Sequence, residues 1–417
     1  MRRQKPPQRR ARAPWRPHPQ LPAPVRVRRD RGGRGHHGQL RGARGGVPRR
    51  ARALLLERFD LLHHLGSSHG ESRAIRDAYP KAHYPPMVRL ARRLWADAEA
   101  ESGYRVLTPA PQLTMGPPGN AALLAAVRNG GAEEVDLARR WGGALRVLDG
   151  WVAAVSEHGG GVLNATKAVA MFQALAVKKG AVVKDNAEVV GITKGRDGGV
   201  VVKTSGGEEF HGAKCLPIQP LHTMVLYWRI KPGRERELTA EAGFPTFSSY
   251  GDPHVYSTPS LELPGLIKIN YDGGPPCDPD SRDWASGGAD VAERVAGWIE
   301  EFMPGHVETA GGPVLRQPCM YSMTPDKDFV IDFLGGEFGE DVVVGAGFSG
   351  HGFKMGPAVG RILAEMAIEG EAKTAARPAW SWVTQDQPVR RQPHGKCQRS
   401  LSWIMCPTRS HGQLLIF

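Results

Sequence analysis

Short apolar runs alternate with longer amphipathic segments along most of this chain. Nearly continuous runs such as Leu54–Leu56 and Asp341–Val344 (DVVV) are typical of buried strands. Apolar residues spaced three or four positions apart predict helices from about Pro86 to Ser102 and over Asp290–Met303. Because the two patterns interleave throughout, the sequence predicts an α/β (α+β) fold.

Three further stretches extend this picture. A helix is expected between Gly161 and Gly180, and residues 181–212 then predict short strands separated by Asp-Gly-Gly and Gly-Gly turns. Residues 216–273 are predicted to form extended strands of a second layer. The run at Leu54, which ends in Glu57, is expected to lie in a parallel sheet.

The stretch Arg316–Lys354 combines a lone cysteine, a strand and a glycine-dense turn, and a helix is expected after it, from about Met355 to Ile368. Its glycines allow the backbone to turn tightly and to approach a bound group closely. A strand, a glycine turn and a helix start direct backbone N–H groups and the positive end of the helix toward one place. The stretch therefore predicts a site for an electron-rich or anionic ligand.

The positive charge is concentrated at one end of the chain. Residues 1–53 hold 17 Lys or Arg and one acid, Asp30, so their net charge is +16 and the rest carries 13 − 16 = −3. This segment has no hydrophobic periodicity and is predicted to be a disordered basic arm. A nucleic-acid-binding arm is an alternative, although the nearly neutral remainder and the lack of interleaved aromatic residues weigh against it. An organelle-targeting arm is disfavoured because the segment has no serine.

The five cysteines show no metal-ligand spacing, which argues against a metal site or a disulfide framework and favours a reducing compartment. No apolar run is long enough to cross a bilayer, and no secretory signal is evident. We therefore expect a soluble intracellular protein without a bound metal. With 417 residues, two or three domains are expected.

Four distinctive motifs follow one another along the chain. They are GSSHGESRAIRDAY at Gly66–Tyr79, GLIKINY at Gly265–Tyr271, CMYSMTPDKDFVID at Cys319–Asp332 and GAGFSGHGFK at Gly345–Lys354. Over about residues 54–373 this set resembles the monomeric sarcosine oxidase family, which includes the eukaryotic peroxisomal sarcosine and pipecolate oxidases. The resemblance implies a monomeric FAD enzyme that oxidises a secondary amino acid to an imine and passes the electrons to O2, making hydrogen peroxide.

The resemblance also implies a division of residues 54–376 into two interleaved domains. A Rossmann-like FAD-binding domain would comprise residues 54–80, 160–215 and 316–373, and a mixed or antiparallel-sheet substrate domain would comprise residues 81–159 and 216–315. Residues 377–417 are aperiodic and rich in Trp, Gln, Pro and Arg, so they are expected to form a poorly ordered, atypical tail. The chain ends Leu415, Ile416, Phe417 instead of an SKL-type address, so cytoplasm and peroxisome both remain possible compartments.

Cofactor contacts follow from the same resemblance. Cys319 matches the cysteine that carries the flavin through a thioether to its 8α position, although a buried structural cysteine is the alternative. Glu57 resembles the acid that binds the adenosine ribose. The other expected cofactor contacts are Val189, Gly350, His351, Gly352, Phe353 and Lys354.

Catalytic and substrate residues are implied similarly. Arg76 and Lys354 match the pair that holds the substrate carboxylate, a role that suits a guanidinium fork and a point charge. Lys268, which matches the lysine of O2 activation, is unusual in an apolar strand unless it faces water or a partner. Asp272 takes the place of a family histidine, which leaves the substrate preference open. The remaining matches are Arg73 and His69 beside the flavin ring, and Tyr321 and Tyr256 near the substrate.

The chain also departs from the family pattern. GAGFSG at Gly345–Gly350 fits GxGxxG, but in the family it belongs to the last strand–turn–helix, not to the dinucleotide turn. The true fingerprint should precede Leu54, and regrouping the codons of residues 29–43 by one base permits VIVVGAGIMGSCAAH. Residues before Leu54 are therefore hypothesised to be a frame-shifted reading. A flavin-contacting turn after Leu216 is also missing, so an inactive, cofactor-deficient product is the first alternative function.

Overall fold

A computed structural model describes residues 53–195, 200–205, 218–279 and 289–374, together with the backbone of two strands at 403–407 and 412–416. All of them lie in one compact unit, Arg49–Phe417. The predictions for the basic arm, for the segment around Leu216 and for most of the tail fall outside the described residues.

The predicted helices form where their apolar periodicity placed them. The first starts two residues earlier than expected, with proline at its first positions, and it ends at Gly103, whose φ of 71° closes the last turn. Asn164 caps the N-terminus of the helix Ala165–Lys178 by accepting a hydrogen bond from the backbone N–H of Lys167. The helices are α1 (Tyr84–Ser102), α2 (Ala121–Gly130), α3 (Leu137–Trp141), α4 (Ala165–Lys178), α5 (Ala289–Phe302) and α6 (Gly356–Glu369).

Eighteen strands are described, most of them short and bounded by glycine, proline or polar turns. In chain order they are β1 (Leu54–Leu56), β2 (Arg73–Arg76), β3 (Leu107–Gly116), β4 (Glu133–Glu134), β5 (Val152–Leu163), β6 (Val182–Lys184), β7 (Val189–Lys194), β8 (Val200–Thr204), β9 (Gln219–Ile230), β10 (Thr246–Ser249), β11 (Val255–Thr258), β12 (Leu266–Tyr271), β13 (Val307–Glu308), β14 (Leu315–Met323), β15 (Val330–Phe333), β16 (Val342–Ala346), β17 (Trp403–Pro407) and β18 (Gly412–Ile416).

The predicted second layer is a large mixed sheet. Its order is β13-β9-β12-β11-β10-β3-β5-β2, with β14 also paired to β9 and β4 to β5. One face packs on α5 through fully buried side chains such as Trp228, Ile267 and Ile269, which belong to one hydrophobic core. This packing commits alternate residues of each strand to the core and leaves the others on the opposite face.

The smaller sheet has the order β15-β16-β18-β17-β1-β6. Helices α1, α4 and α6 share a core with Ile331 and Val343 of this sheet. The glycine-dense stretch is the predicted strand–turn–helix, running from β16 through a short 3-10 helix at Phe353–Met355 into α6. A separate hairpin, β7-β8, accounts for strands expected after α4.

The surroundings of β1 differ from the sequence expectation. It pairs in parallel with β6, as a Rossmann-like domain requires, but its other neighbour is β17, which runs antiparallel. The hairpin β17-β18 comes from the segment expected to be poorly ordered, and it joins β1 to β16. The reason lies in two short apolar runs, WIMCP and GQLLI, which are too brief to give a periodic signal.

Within the described residues, none of the helices is sufficiently long and apolar to span a membrane.

Candidate active site

The register of the large sheet collects polar side chains on the face turned away from the α5 core. Directly paired residues of neighbouring strands lie on the same face, so Lys268 shares its face with Thr258 and Tyr227. By the same rule Tyr256 shares a face with Ser248. The sheet therefore forms the floor of a polar site.

Lys268 is buried on this face, with only 3% of its surface exposed. Its ammonium Nζ donates to the carbonyl oxygen of Ser72 at 2.8 Å. Burial, and then the positive charge of Arg73, lower the pKa of Lys268 to about 7, while Glu262 and Cys319 oppose the shift. The alternative interpretation, in which the Lys268 side chain faces solvent, is therefore wrong.

Arg73 lies above Lys268 and fixes the loop that precedes β2. Its Nη2 donates to the carbonyl oxygens of His69, at 2.6 Å, and Ser67, at 3.1 Å. The same nitrogen is 3.9 Å from Sγ of Cys319, which is a buried free thiol on β14. Arg73, Lys268 and Cys319, which the sequence motifs single out separately, thus lie in one cluster.

His69 is also buried, with 4% of its surface exposed. Its Nδ1 lies 3.2 Å from Nε2 of Gln317. Burial and the charge of Arg73 lower the pKa of His69 to about 4, so the ring is neutral at pH 7. A neutral imidazole can accept or donate a hydrogen bond but adds no charge to the cluster.

Arg76 and Lys354 form a second cationic group, reached from β2 and from the turn before α6. Both lie against the ring of Tyr79, with Cζ of Arg76 at 5.1 Å and Nζ of Lys354 at 5.8 Å from its centroid. Arg76 also donates to the hydroxyl of Ser248. Among the residues that the structure describes, neither cation forms an ion pair with a carboxylate.

The electrostatics of this pair are unusual. Burial, and then the charge of Arg76, lower the pKa of Lys354 well below its ordinary value. Burial also opposes the charge of Arg76, but the neighbouring Tyr250 and Tyr79 outweigh it and raise the pKa of Arg76. A bound anion would relieve the cost of burying both charges.

Tyr256 and Tyr321 meet across the floor of the site, with their hydroxyl oxygens 3.3 Å apart. Burial raises the pKa of Tyr256 to about 12 and, more strongly, that of Tyr321, so both phenols stay protonated. Gly350 passes directly over Tyr321, and a Cβ atom there would lie 2.8 Å from the ring. The glycine turn is thus a close approach of backbone to side chain.

The rest of the turn packs behind Lys354. His351 places its Nε2 3.2 Å from the carbonyl oxygen of Lys327, and burial, followed by Lys354, lowers the pKa of His351 to about 3. Gly352 begins the short 3-10 helix, and Phe353 stacks on Trp95 at 6.1 Å between centroids. Trp95 also donates to the carbonyl oxygen of Lys354, at 3.0 Å, which fixes the backbone of the turn.

Two predicted cofactor residues lie in other sheets. Glu57 follows β1 of the six-stranded sheet, and its carboxylate accepts the N–H of Phe59 at 3.1 Å and lies 3.4 Å from Nε2 of His63. Val189 opens β7 of the separate hairpin and is half-buried. Neither touches the clusters around Lys268 and Arg76 through a described hydrogen bond or ion pair.

Several residues at the site were not predicted. Tyr79 belongs to the same motif as Arg76. An aromatic residue three positions after an arginine is a sequence signal that could have identified it as a site residue. Tyr250, His254 and Ser248 lie in segments with no motif. The strand register places Ser248 beside Tyr256, and Tyr250 and His254 lie in the connection between β10 and β11, with ring centroids 4.8 Å apart. Asp272 lies beside His254, with its Oδ2 atom 3.6 Å from Nδ1 of the His254 ring.

Some buried polar atoms of this face find no hydrogen-bond partner among the described residues. They are Oγ1 of Thr258, paired with Lys268, Oγ1 of Thr223, paired with Cys319, and Nε2 of His69. Buried polar atoms are nearly always satisfied, so these atoms require a partner other than the described residues. A planar ligand with carbonyl and N–H groups along its edge fits such a lining.

Comparison with solved structures places the fold. The open form of NikD, an unusual amino acid oxidase essential for nikkomycin biosynthesis, matches with a TM-score of 0.64 at 19% identity, over 77% of this chain and 89% of that one. L-proline dehydrogenase from P. horikoshii matches with a TM-score of 0.58 at 20% identity, over 74% and 85%. This chain therefore shares its fold with NikD and with the L-proline dehydrogenase.

Sequence comparison gives the family. A model described as FAD dependent oxidoreductase matches residues 43–366. The probable sarcosine oxidase of Arabidopsis thaliana is 50% identical over 350 residues, 77% of this chain and 83% of that protein. The peroxisomal sarcosine oxidase of Homo sapiens is 32% identical, over 77% and 87%. This chain belongs to the FAD-dependent oxidoreductase family, and the resemblance to sarcosine oxidases is confirmed.

Proposed function

We propose that this chain oxidises a secondary amino acid of the sarcosine type to an imine while O2 is reduced to hydrogen peroxide. The observation that carries the proposal is the pair Arg76 and Lys354, a half-buried and a buried basic side chain on one tyrosine ring, without an ion-paired carboxylate among the described residues. A substrate carboxylate would complete the pair, because guanidinium and ammonium groups bind carboxylates through charge-assisted hydrogen bonds. Relatives named as sarcosine oxidases and N-methyl-L-tryptophan oxidases support this substrate class.

The lining around Arg73 and Lys268 supports flavin as the cofactor. His69, Thr258 and Thr223 hold buried polar atoms that a flavin edge would satisfy, and Cys319 lies in the same cluster. When bound, flavin supplies the acceptor for the hydride equivalent that leaves the α-carbon of the amine. The protein orients the amine: Arg76 and Lys354 hold its carboxylate, and the two protonated phenols of Tyr256 and Tyr321 line the place of its nitrogen and carbon.

Lys268 is assigned to the reaction with O2. Its ammonium donates to the carbonyl oxygen of Ser72, and it lies in the cluster with Arg73 and Cys319. A buried cation favours negative charge that develops on oxygen as it is reduced. Because its pKa lies near 7, a modest amount of added negative charge nearby suffices to hold Lys268 protonated.

Binding of the substrate carboxylate can be tested with Arg76→Met. We expect the kcat/KM for sarcosine or L-pipecolate to fall about a hundredfold, because one charge-assisted pair is lost while the apolar stem is kept. Oxygen uptake and peroxide formation measure it. Arg89→Met, on the exposed side of α1, is the matched control and should leave the rates of oxygen uptake and peroxide formation unchanged. A wild-type protein that oxidises no secondary amino acid, or an Arg76→Met variant as active as wild type, would contradict the proposal.

We further propose a covalent flavin link through Cys319. Cys319 is a buried thiol whose Sγ lies 3.9 Å from Nη2 of Arg73, within the cluster that would hold the flavin ring. After acid precipitation the wild-type pellet should stay yellow, and Cys319→Ser should release its colour. Cys277→Ser, at the chain's other described thiol, is the control and should stay yellow. A colourless wild-type pellet that leaves free flavin in solution would refute the link.

The nucleotide-binding half of the cofactor site remains a prediction. Glu57 directly follows β1, a position that suits a ribose-binding acid in this type of fold, and Val189 lies on the neighbouring hairpin.

The frame-shift hypothesis for residues before Leu54 is tested by sequencing a transcript across this region. An in-frame coding sequence without a restoring insertion or deletion would refute it, and a colourless, aggregating protein would support the inactive alternative. Retention of nucleic acid that vanishes when residues 1–53 are removed would support the second alternative.

We propose a monomer that acts on a small amino acid in the cytoplasm or peroxisome. The names of the bacterial relatives, monomeric sarcosine oxidases, support the oligomeric state, and the peroxisomal relatives support the second compartment.

A further inference from the structure

Lys268 has a tyrosine as its direct neighbour on the face of the large sheet that carries it. Tyr227 of β9 is its cross-strand partner, so the two side chains project from the same face. Both residues are buried, with 3% of the surface of each exposed. Directly paired residues of antiparallel strands have Cβ atoms about 5 Å apart, so the tyrosine ring and the lysine stem are neighbours.

Glu262 brings a carboxylate to this pair. It lies in the connection between β11 and β12 and is half-buried, and its Oε1 accepts a long hydrogen bond from the hydroxyl of Tyr227 at 3.5 Å. Leu263 and Leu266 pack on the small apolar cluster that contains Tyr227, which holds the connection against the sheet. Burial, and then the charge of Glu262, raise the pKa of Tyr227 to about 12, so the phenol remains a hydrogen-bond donor.

The other elements around Lys268 contribute mainly positive charge. Arg73 of β2 lies in the same cluster, with its Nη2 3.9 Å from Sγ of Cys319 on β14. Lys354, from the turn before α6, is a further cation within electrostatic reach of Lys268. Three basic side chains thus meet where Lys268 and Lys354 are buried, and burying unbalanced positive charge is costly.

The neighbouring carboxylates differ in what they contact. Glu71, in the loop before β2, is exposed and accepts a hydrogen bond at 2.9 Å from the residue that caps α4. Asp272, after β12, lies 3.6 Å from a histidine ring. Glu262 instead contacts the cross-strand partner of Lys268. Burial and Arg73 lower the pKa of Lys268, and Glu262 opposes that shift, so this carboxylate balances part of the positive charge.

We infer that Glu262 and Tyr227 are positioning residues for Lys268: the phenol holds the carboxylate beside the lysine, and the carboxylate keeps the ammonium charged while O2 is reduced. The inference rests on the proposed function, because it presupposes that the Lys268 ammonium assists the reaction with O2. The effect of both residues reaches the reaction through Lys268, so it should disappear when Lys268 is removed.

The inference predicts how the reaction with O2 depends on pH. The holoenzyme is reduced photochemically without an amino acid and mixed with O2, and the return of flavin absorbance is followed between about pH 6 and about pH 10. As the pH rises through the pKa of Lys268, the ammonium is lost and the reoxidation rate should fall. Glu262→Gln removes a carboxylate that favours the ammonium, so the fall should occur at least about half a pH unit lower than in wild type.

Two further variants accompany Glu262→Gln. Tyr227→Phe keeps the ring and removes only the hydroxyl, so it should shift the profile in the same direction by a smaller amount. If Glu262→Gln does not retain flavin, Tyr227→Phe decides. Glu293→Gln, on the exposed side of α5 across the sheet from Lys268, changes the net charge equally and should leave the profile unaltered.

Lys268→Met separates the inference from the proposed function. Its reoxidation should be slow and free of this pH dependence, and adding Glu262→Gln should change nothing further. An unshifted profile in Glu262→Gln or in Tyr227→Phe, or a slowing by the same factor at every pH, would overturn the inference while leaving the role of Lys268 intact. If Lys268→Met is reoxidised as fast as wild type, the role of Lys268 in the proposed function fails, and the inference fails with it.

Discussion

Lys268 lies in an environment that differs strongly from that of an ordinary, solvent-exposed lysine. It is buried between β12 and the loop before β2, and its pKa falls to about 7 because burial disfavours the charged form. An unfolded chain releases this proton only near pH 10.5. Between these two values the unfolded state binds more protons than the folded state, so the free energy of unfolding should rise with pH.

Lys268→Met removes this contribution. We expect the variant to be more stable than wild type by a few kcal/mol at about pH 6.5, with the difference shrinking as the pH rises toward about 9.5. Urea unfolding of both proteins at several pH values, with the same flavin content, measures it. Lys167→Met, on the exposed side of α4, should show no such trend. A difference between Lys268→Met and wild type that is constant with pH would show that the lysine is not buried as described.

The sequence motifs single out Lys268, Arg73 and Cys319, and the structure brings these three residues together. Their proposed roles stay predictions. Tyr250 and His254 could not be found from the sequence, because they lie in the connection between β10 and β11, which carries no motif.

Among the elements, the glycine turn between β16 and α6 is tightly constrained at Gly350. Gly350 has a φ of 78°, a conformation unfavourable for other residues, and its backbone lies against the Tyr321 ring. The sequence predicted this strand–turn–helix because glycine spacing is visible locally. The contact with Tyr321 could not be predicted, since it depends on how β14 is placed beneath the turn.

Gly350→Ala should therefore destabilise the protein by about 1–3 kcal/mol, because strain at positive φ adds to the clash with the ring. Gly360→Ala is the matched control, since that glycine lies within α6 with nothing within 4 Å of a new Cβ atom. It should be neutral or stabilising by up to about 1 kcal/mol. Urea unfolding measures both variants, and equal stabilities would contradict the described turn.

At the scale of the whole molecule, the sheet that contains β1 is completed from the end of the chain. In a dinucleotide-binding fold the strand beside the acid-bearing second strand is the first strand, with its glycine turn. Here that neighbour is β17, and β18 then pairs in parallel with β16. Pairing between positions some 350 residues apart, such as Leu54 and Met405, has no sequence periodicity to reveal it. The class of fold was predictable from interleaved strands and helices, but this strand order was not.

The residues that we propose to bind the substrate and the flavin ring lie within the described sheet and turn. The predicted phosphate-binding turn lies outside the described residues. The central claim is that the intact groups suffice for oxidation of a secondary amino acid by bound flavin.

The most direct test is the visible spectrum of the purified full chain mixed with sarcosine without oxygen. The account predicts flavin absorbance in the resting protein, bleaching on addition of sarcosine, and recovery of the absorbance with peroxide formation once O2 is admitted. A flavin-loaded protein whose spectrum is unchanged by sarcosine, L-pipecolate and other N-methyl amino acids would contradict it.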